Sequence, residues 1–241
     1  MNKVLEICCY NLASAILAQQ AGAQRVELCA DPGDGGTTPG YGVIATARKR
    51  LHIELYPIIR PRGGDFLYTE EEFGIMMKEV ALCKQLGCDG VALGLLNADG
   101  TVDTQRTARL VELAYPLGVT FHRAFDRTPD PFAALEEIIA AGCERILSSG
   151  QRPTATEGAA LLRELVGKAD DRILIMPGSG VRASNIDELV RSTGASEFHT
   201  SASRLVPSRM NYTNPSMKEE LSLVMADPQE IASILRRLSE C

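Results

Sequence analysis

The stretch "VTFHRAFDRTPD", residues 119–130, joins an apolar run to a cluster of ionisable side chains. Val119 and Phe121 have the spacing of a buried strand, whereas His122 and Asp126 belong to the charged part that follows. Charged groups are costly to bury unless they are paired. In barrels of alternating strands and helices the chemistry lies at the C-terminal ends of the strands. The stretch therefore predicts a functional site at such an end.

Period-two alternation in the predicted strands separates side chains that pack on helices from side chains that point into a barrel. In "VLEIC", Leu5 and Ile7 take the helix side, so Glu6 and Cys8 point inward. The same rule applied along the chain predicts one inward set, which comprises Glu6, Cys8, Glu27, Cys29, Arg60, His122, His199 and Ser201.

This set contains the groups of general acid/base catalysis on a small acidic substrate, namely carboxylates, imidazoles and a guanidinium that can hold an anion. The catalytic candidates are Glu6, Glu27, Arg60, His122, Asp126 and His199. The loop "RPRGGDFLYTEEE", residues 60–72, is placed to cover the mouth. The alternative interpretation is a polar plug in which Glu6 and Glu27 pair with Arg60.

Cys8 and Cys29 end two adjacent predicted strands, and neighbouring strands lie about 5 Å apart. Their sulfurs can therefore share one ion, and thiolates select soft ions such as Cu(I). No CxxC or HxxxH spacing accompanies the pair. Two reduced core cysteines are the alternative.

Glycine-rich and serine-rich loops follow the last predicted strands. "MPGSGVRASN", residues 176–185, and "HTSASR", residues 199–204, take the positions where many barrels bind phosphate through backbone N–H groups. The anion-binding candidates are Ser149, Gly150, Gly178, Ser179, Gly180 and Ser201. An ordinary turn is the alternative. No GxGxxG follows the first strand, so no nucleotide cofactor is indicated.

One pattern recurs along the chain: the end of a helix, a glycine and then a short strand, as in "QQAGAQRVELC" and "KQLGCDGVALG". This repetition indicates a series of strand–helix units that carry the residues above. Apolar runs predict eight strands, at Val4 to Cys8, Arg25 to Cys29, Ile53 to Arg60, Gly90 to Gly94, Val119 to His122, Arg145 to Ser148, Ile173 to Pro177 and Glu197 to Ser201. Helix starts are predicted at Thr69, in a capping box with Glu72, and at Asp130 and Ser184. The alternation favours one α/β domain over residues 1–241, a (β/α)8 TIM barrel.

Composition narrows the class of partner. The 241 residues carry a net charge of −6, which argues against nucleic acid. The N-terminal segment lacks the apolar region of a secretory signal, and no run is long enough to span a membrane. We therefore expect a cytoplasmic protein in which the seven cysteines are reduced thiols.

Several of these segments, taken in order, resemble the CutC family of copper-homeostasis proteins. The matching stretches are "EIC" at 6–8, "RVELC" at 25–29, "GGTTPGYG" at 35–42, "IRPRGGDFLY" at 59–68, "VTFHRAFD" at 119–126, "SSG" at 148–150, "MPGSGV" at 176–181 and "EFH" at 197–199. The resemblance implies a cytoplasmic (β/α)8 barrel, often oligomeric, with Cu(I) ligands at Cys8 and Cys29. Gly40 and Ser179 depart from the family pattern, which commonly has serine and glycine there.

The leading hypothesis is a cytoplasmic copper-homeostasis protein that binds Cu(I) through Cys8 and Cys29. The alternative is a barrel enzyme acting on a small anionic or phosphorylated metabolite, because a two-coordinate copper site does not require the Glu, His and Arg residues of the mouth. A third possibility is a metabolite-binding module without turnover. The expected partners are a copper ion or a small anionic metabolite and a second copy of the chain, in a homo-oligomer such as a dimer or tetramer.

Overall fold

The computed structural model describes residues 3–241. Eight strands and eight helices alternate along most of the chain. The strands of this series are β1 (Val4–Cys9), β2 (Arg25–Leu28), β3 (Glu54–Pro57), β4 (Gly90–Leu93), β5 (Gly118–Phe121), β6 (Arg145–Ser148), β7 (Leu174–Pro177) and β8 (Glu197–Thr200). The helices are α1 (Leu12–Gln20), α2 (Tyr41–Arg50), α3 (Glu70–Gln85), α4 (Thr104–Ala114), α5 (Pro131–Ala140), α6 (Ala159–Ala169), α7 (Ile186–Thr193) and α8 (Pro228–Glu240).

All eight strands are parallel and form two four-stranded sheets, in the orders β3-β2-β1-β8 and β4-β5-β6-β7. At the seam between β3 and β4 the Ile59 N–H donates to the Ala92 carbonyl over 2.7 Å. At the seam between β7 and β8 the Thr200 hydroxyl donates to the Val181 carbonyl over 2.7 Å. The predicted (β/α)8 arrangement is therefore confirmed. Within residues 3–241 the backbone hydrogen bonds between neighbouring strands are continuous in each of the two four-stranded sheets.

The predicted alternation of side chains is also confirmed. Leu5, Ile7, Val26 and Phe121 are fully buried in the apolar layer between strands and helices. Residues of the opposite parity fill the interior, where register places Glu6 beside Arg25 and Cys8 beside Glu27. Because the apolar side chains of each strand pack against the helices, the polar side chains of that strand point into the barrel.

Two of the three predicted helix starts are correct. Thr69 caps α3 with a complete capping box to Glu72, and Asp130 accepts hydrogen bonds from the first turn of α5. The third prediction, Ser184, was wrong by one residue, because Asn185 precedes α7 and its side chain does not cap the helix.

An antiparallel hairpin of β9 (Ser203–Val206) and β10 (Leu223–Ala226) was not predicted. The hairpin docks on α1, where the Asn11 side chain donates to the Val224 carbonyl over 3.0 Å. Residues 207–222 form an arm between the two strands, and most of them are exposed. None of the helices described in residues 3–241 combines the length and the apolar character needed to cross a membrane.

Candidate functional site

The thiols of Cys8 and Cys29 meet at the carboxyl ends of β1 and β2. Their sulfurs lie 3.7 Å apart, and both side chains are buried. Gly36, with a φ of 106°, passes so close that a Cβ there would lie 3.2 Å from the Cys29 sulfur. Together with Glu27, the two cysteines form a group of three possible metal ligands whose ligating atoms lie within 4.8 Å of one another. The sequence prediction that these two side chains converge is confirmed.

Ionisable side chains surround the thiol pair. The His199 Nδ1 lies 2.7 Å from a Glu6 carboxylate oxygen, and its Nε2 lies 3.8 Å from a Glu27 oxygen. The Cys29 thiol lies 3.4 Å from the same Glu27 oxygen. β8 supplies His199 because it pairs directly with β1, which places Glu6 opposite His199.

These contacts set the charge states of the cluster. The hydrogen bond from Cys29 lowers the pKa of the Cys8 thiol well below its usual value; burial opposes this change, and His199 reinforces it. Burial by itself would lower the pKa of His199, but its contacts with Cys8 and Glu6 raise the pKa well above the ordinary histidine value. Burial raises the pKa of Glu27. The contacts therefore favour loss of the proton from the Cys8 thiol and retention of protons on His199 and Glu27.

Glu6 does not line the cleft and belongs to a buried charge network below the thiols. It lies 2.5 Å from the Arg25 Nε, and Arg25 also pairs with Glu197. Burial by itself would raise the pKa of Glu6, but the charge of Arg25 and the hydrogen bond to His199 lower it to about 2. Arg145 completes the network, with its Nε 2.5 Å from Glu197.

A second wall of the site contains Arg60, Phe66 and His122. The Arg60 guanidinium lies over the Phe66 ring at 5.2 Å, and the Phe66 and His122 ring centroids are 5.0 Å apart. Arg60 donates to the backbone carbonyls of Asp34, Gly36 and Gly64, at 2.6, 2.7 and 2.8 Å. The polar-plug alternative was therefore wrong about its partners, because Arg25 pairs with Glu6 and Arg60 does not.

The predicted anion-binding residues divide into two groups. Ser179, Gly180 and Ser201 line the cleft, and the first two adopt positive φ values of 75° and 72°. Gly178 packs against the barrel interior, since a Cβ there would lie 2.4 Å from Leu147. Gly150 is packed on the Gly158 backbone.

Asp126, in the turn of 3-10 helix after β5, and Ser149, directly after β6, do not line the cleft. Asp126 accepts hydrogen bonds from the Ser148 hydroxyl at 2.6 Å, from the Ser149 backbone N–H and from the Gln151 backbone N–H. The Arg123 Nε adds an ion pair at 2.8 Å. This carboxylate is already saturated with donors, and it organises the loop rather than facing the cleft.

The cleft has a volume of about 970 Å³ and lies at the carboxyl ends of the strands. Of the sequence candidates, Cys8, Glu27, Arg60, His122, His199, Ser179, Gly180 and Ser201 line it. Sequence analysis missed Tyr10 and the cations Arg127 and Arg182, which also line it. It also missed Arg25 and Arg145 as interior residues, although the parity that turned Glu27 inward applies equally to Arg25.

The fold and the cleft define a (β/α)8 barrel protein with a buried thiol pair, two histidines and an arginine at the ends of its strands. A phosphoribosylanthranilate isomerase from Thermotoga maritima shares this fold, with a TM-score of 0.62 and 12% identity over the whole of both chains. The model of the CutC family matches residues 3–204. The chain belongs to the CutC family.

Two further relatives agree with this assignment. A CutC family protein from Chromobacterium violaceum is 58% identical over 212 residues, which cover 88% of this chain and 86% of the relative. A solved structure from Streptococcus agalactiae, described as a provisional copper homeostasis protein CutC, is 35% identical with a TM-score of 0.78. The match covers 83% of this chain and 98% of that one.

Proposed function

We propose that this protein binds Cu(I) through Cys8 and Cys29 and serves copper homeostasis in the cytoplasm. The observation that carries the proposal is the 3.7 Å separation of the two sulfurs beside the cleft. A metal–thiolate bond measures about 2.3 Å, so two such bonds span at most about 4.6 Å. Both sulfurs can therefore reach one ion without movement of the backbone.

The chemistry of the donor set favours a soft ion. Two thiols supply soft ligands, and the neighbouring Glu27 offers one carboxylate oxygen. Thiols must lose their protons to bind a metal, and the contacts that lower the pKa of the Cys8 thiol favour this loss. The reducing cytoplasm keeps such thiols available. The Streptococcus agalactiae relative, described as a copper homeostasis protein, supports copper as the ion.

The first experiment is an anaerobic titration of the reduced protein with Cu(I) in competition with a colorimetric chelator. We expect one tight equivalent in the wild type and its loss in the Cys8→Ser/Cys29→Ser variant, because the ligating sulfurs are gone. Cys83 and Cys88 are also buried and lie outside the cleft, so Cys83→Ser/Cys88→Ser is the matched control and should retain binding.

Equal loss of the ion to the chelator by the wild type and the Cys8→Ser/Cys29→Ser variant would contradict the proposal. Retention of the tight equivalent in that variant would contradict it as well.

A further inference from the structure

Arg60 differs from the other deeply buried arginines of the barrel. Arg25 and Arg145 each pair with carboxylates, and both share Glu197. Arg60 is 5% exposed, and within residues 3–241 its guanidinium donates to three backbone carbonyls and to no side chain. No carboxylate of residues 3–241 forms an ion pair with it, and its Nε lacks a hydrogen-bond partner. A buried cation without a counterion is unfavourable, so this position favours a negative charge brought from outside the chain.

His122 presents a second unsatisfied group on the same wall. Its ring is buried, and its Nδ1 accepts a hydrogen bond from the Ala124 N–H at 3.2 Å. Burial, together with the charge of Arg60, lowers the pKa of His122 to about 3. The ring is therefore neutral, and because Nδ1 accepts, the proton lies on Nε2. In the described part of the chain this Nε2 has no hydrogen-bond partner, and the His122 side chain lines the cleft.

The Phe66 ring lies close to both the Arg60 guanidinium and the His122 imidazole. It lies 5.2 Å from the Arg60 guanidinium and 5.0 Å from the His122 ring, which gives the cleft an apolar surface between them. The cleft volume of about 970 Å³ is that of a small-molecule site. Arg123, Arg127 and Arg182 add cations to the lining.

We propose that this wall binds a small organic anion, a carboxylate or a phosphate ester, whose charge is balanced by Arg60 and whose carbonyl or hydroxyl oxygen accepts a hydrogen bond from the His122 Nε2–H. The carboxylate and the phosphate ester share this chemistry, and Phe66 packs against the carbon skeleton. The site uses neither cysteine, so it is independent of copper binding. It supplies the substrate-binding step that the enzymatic alternative requires.

The test is isothermal titration of the metal-free protein with three probes. Pyruvate represents the carboxylates, dihydroxyacetone phosphate represents the phosphate esters, and neutral dihydroxyacetone is the uncharged control. We expect one or both anions to bind and the neutral probe not to bind, because only the anions balance the charge of Arg60. Binding of one anion alone identifies the class of ligand.

The variant His122→Asn tests the contribution of the Nε2–H hydrogen-bond donor. The asparagine oxygen takes the place of Nδ1 and still accepts from the Ala124 N–H, but nothing replaces the Nε2–H. We expect the affinity for the anion to fall at least about tenfold, the equivalent of about 1.4 kcal/mol. His52 is exposed and lies outside the cleft, so His52→Asn is the matched control and should bind as the wild type does.

Three results would overturn the proposal. They are the failure of both anions to bind the wild type at millimolar concentration, equal binding of dihydroxyacetone, and undiminished anion binding by His122→Asn.

Discussion

Glu197 balances two cations in the interior of the barrel. Arg25 and Arg145 both donate to its Oε2, and its side chain is 10% exposed. The parallel register makes this possible, because Arg25 on β2 and Glu197 on β8 both lie beside residues at the start of β1. A carboxylate shared by two buried guanidinium groups cannot be removed without leaving positive charge in a poorly solvated interior.

We therefore expect Glu197→Gln to lower the free energy of unfolding by about 3 kcal/mol, the range for breaking a buried ion pair. Urea denaturation followed by circular dichroism measures the change. Glu136→Gln is the matched control, since Glu136 pairs with Arg172 on the surface, where both side chains are largely exposed, and its urea midpoint should not move. An unchanged midpoint for Glu197→Gln would mean that water reaches the network.

At the scale of elements, the position of His122 depends on the end of the neighbouring strand. The His122 N–H donates to the Leu93 carbonyl of β4 over 2.7 Å, so the two strand ends run side by side. The residue after Leu93 is Gly94, where a Cβ would lie 2.5 Å from the His122 Nδ1 and 2.9 Å from the Ala124 Cβ. A glycine at the end of β4 is therefore what allows the imidazole of the next strand to lie against the barrel wall.

We expect Gly94→Ala to displace the His122 ring and to lower the free energy of unfolding by about 1–3 kcal/mol, because the added methyl group overpacks the site. The histidine signals in the NMR spectrum and urea denaturation measure the two effects. Gly42→Ala is the control, since a Cβ at Gly42 in α2 meets nothing within 4 Å. It should leave the His122 signals in place, and unmoved signals in Gly94→Ala would contradict the expected clash.

The sequence was sufficient to predict the eight strands and the thiol pair, because strand parity and strand order are encoded by local patterns. Ion-pair partners are not encoded locally. Arg25 and Arg60 both end up buried, and only the register of β2 against β1 decides which of them pairs with Glu6. The β9–β10 hairpin was missed because the arm between its strands is polar and irregular and gives no turn signal for pairing.

At the scale of the whole molecule, the hairpin arm of residues 207–222 stands outside the barrel. Met210, Tyr212 and Met217 are 66%, 70% and 59% exposed, whereas Met76 and Met176 of the barrel are fully buried. The strands at its base pair with each other and dock on α1, so the arm itself is not needed to complete the sheet. Several exposed apolar side chains within one short segment are typical of interaction surfaces.

Replacement of residues 208–221 by a short glycine–serine linker should therefore leave the melting temperature nearly unchanged. It should also reduce the dimer or tetramer expected from the sequence to a monomer, because the apolar side chains of the arm are lost. Scanning calorimetry and light scattering measure the two quantities. An intact oligomer in the shortened chain would show that outer helices mediate assembly, and a large fall in melting temperature would show that the arm supports the barrel.

The pairing of β1 with β8 has a consequence for biosynthesis. Cys8 and Cys29 are synthesised well before His199, which contacts Glu6 and lies 193 residues farther along the chain than that glutamate. At about 5–20 residues per second, translation needs roughly 10–40 s to cover that interval. Until His199 is made, the nascent chain carries both thiols without the histidine contact that contributes to the lowered pKa of Cys8. The full lowering of the Cys8 pKa therefore requires the folded barrel, in which β8 lies beside β1.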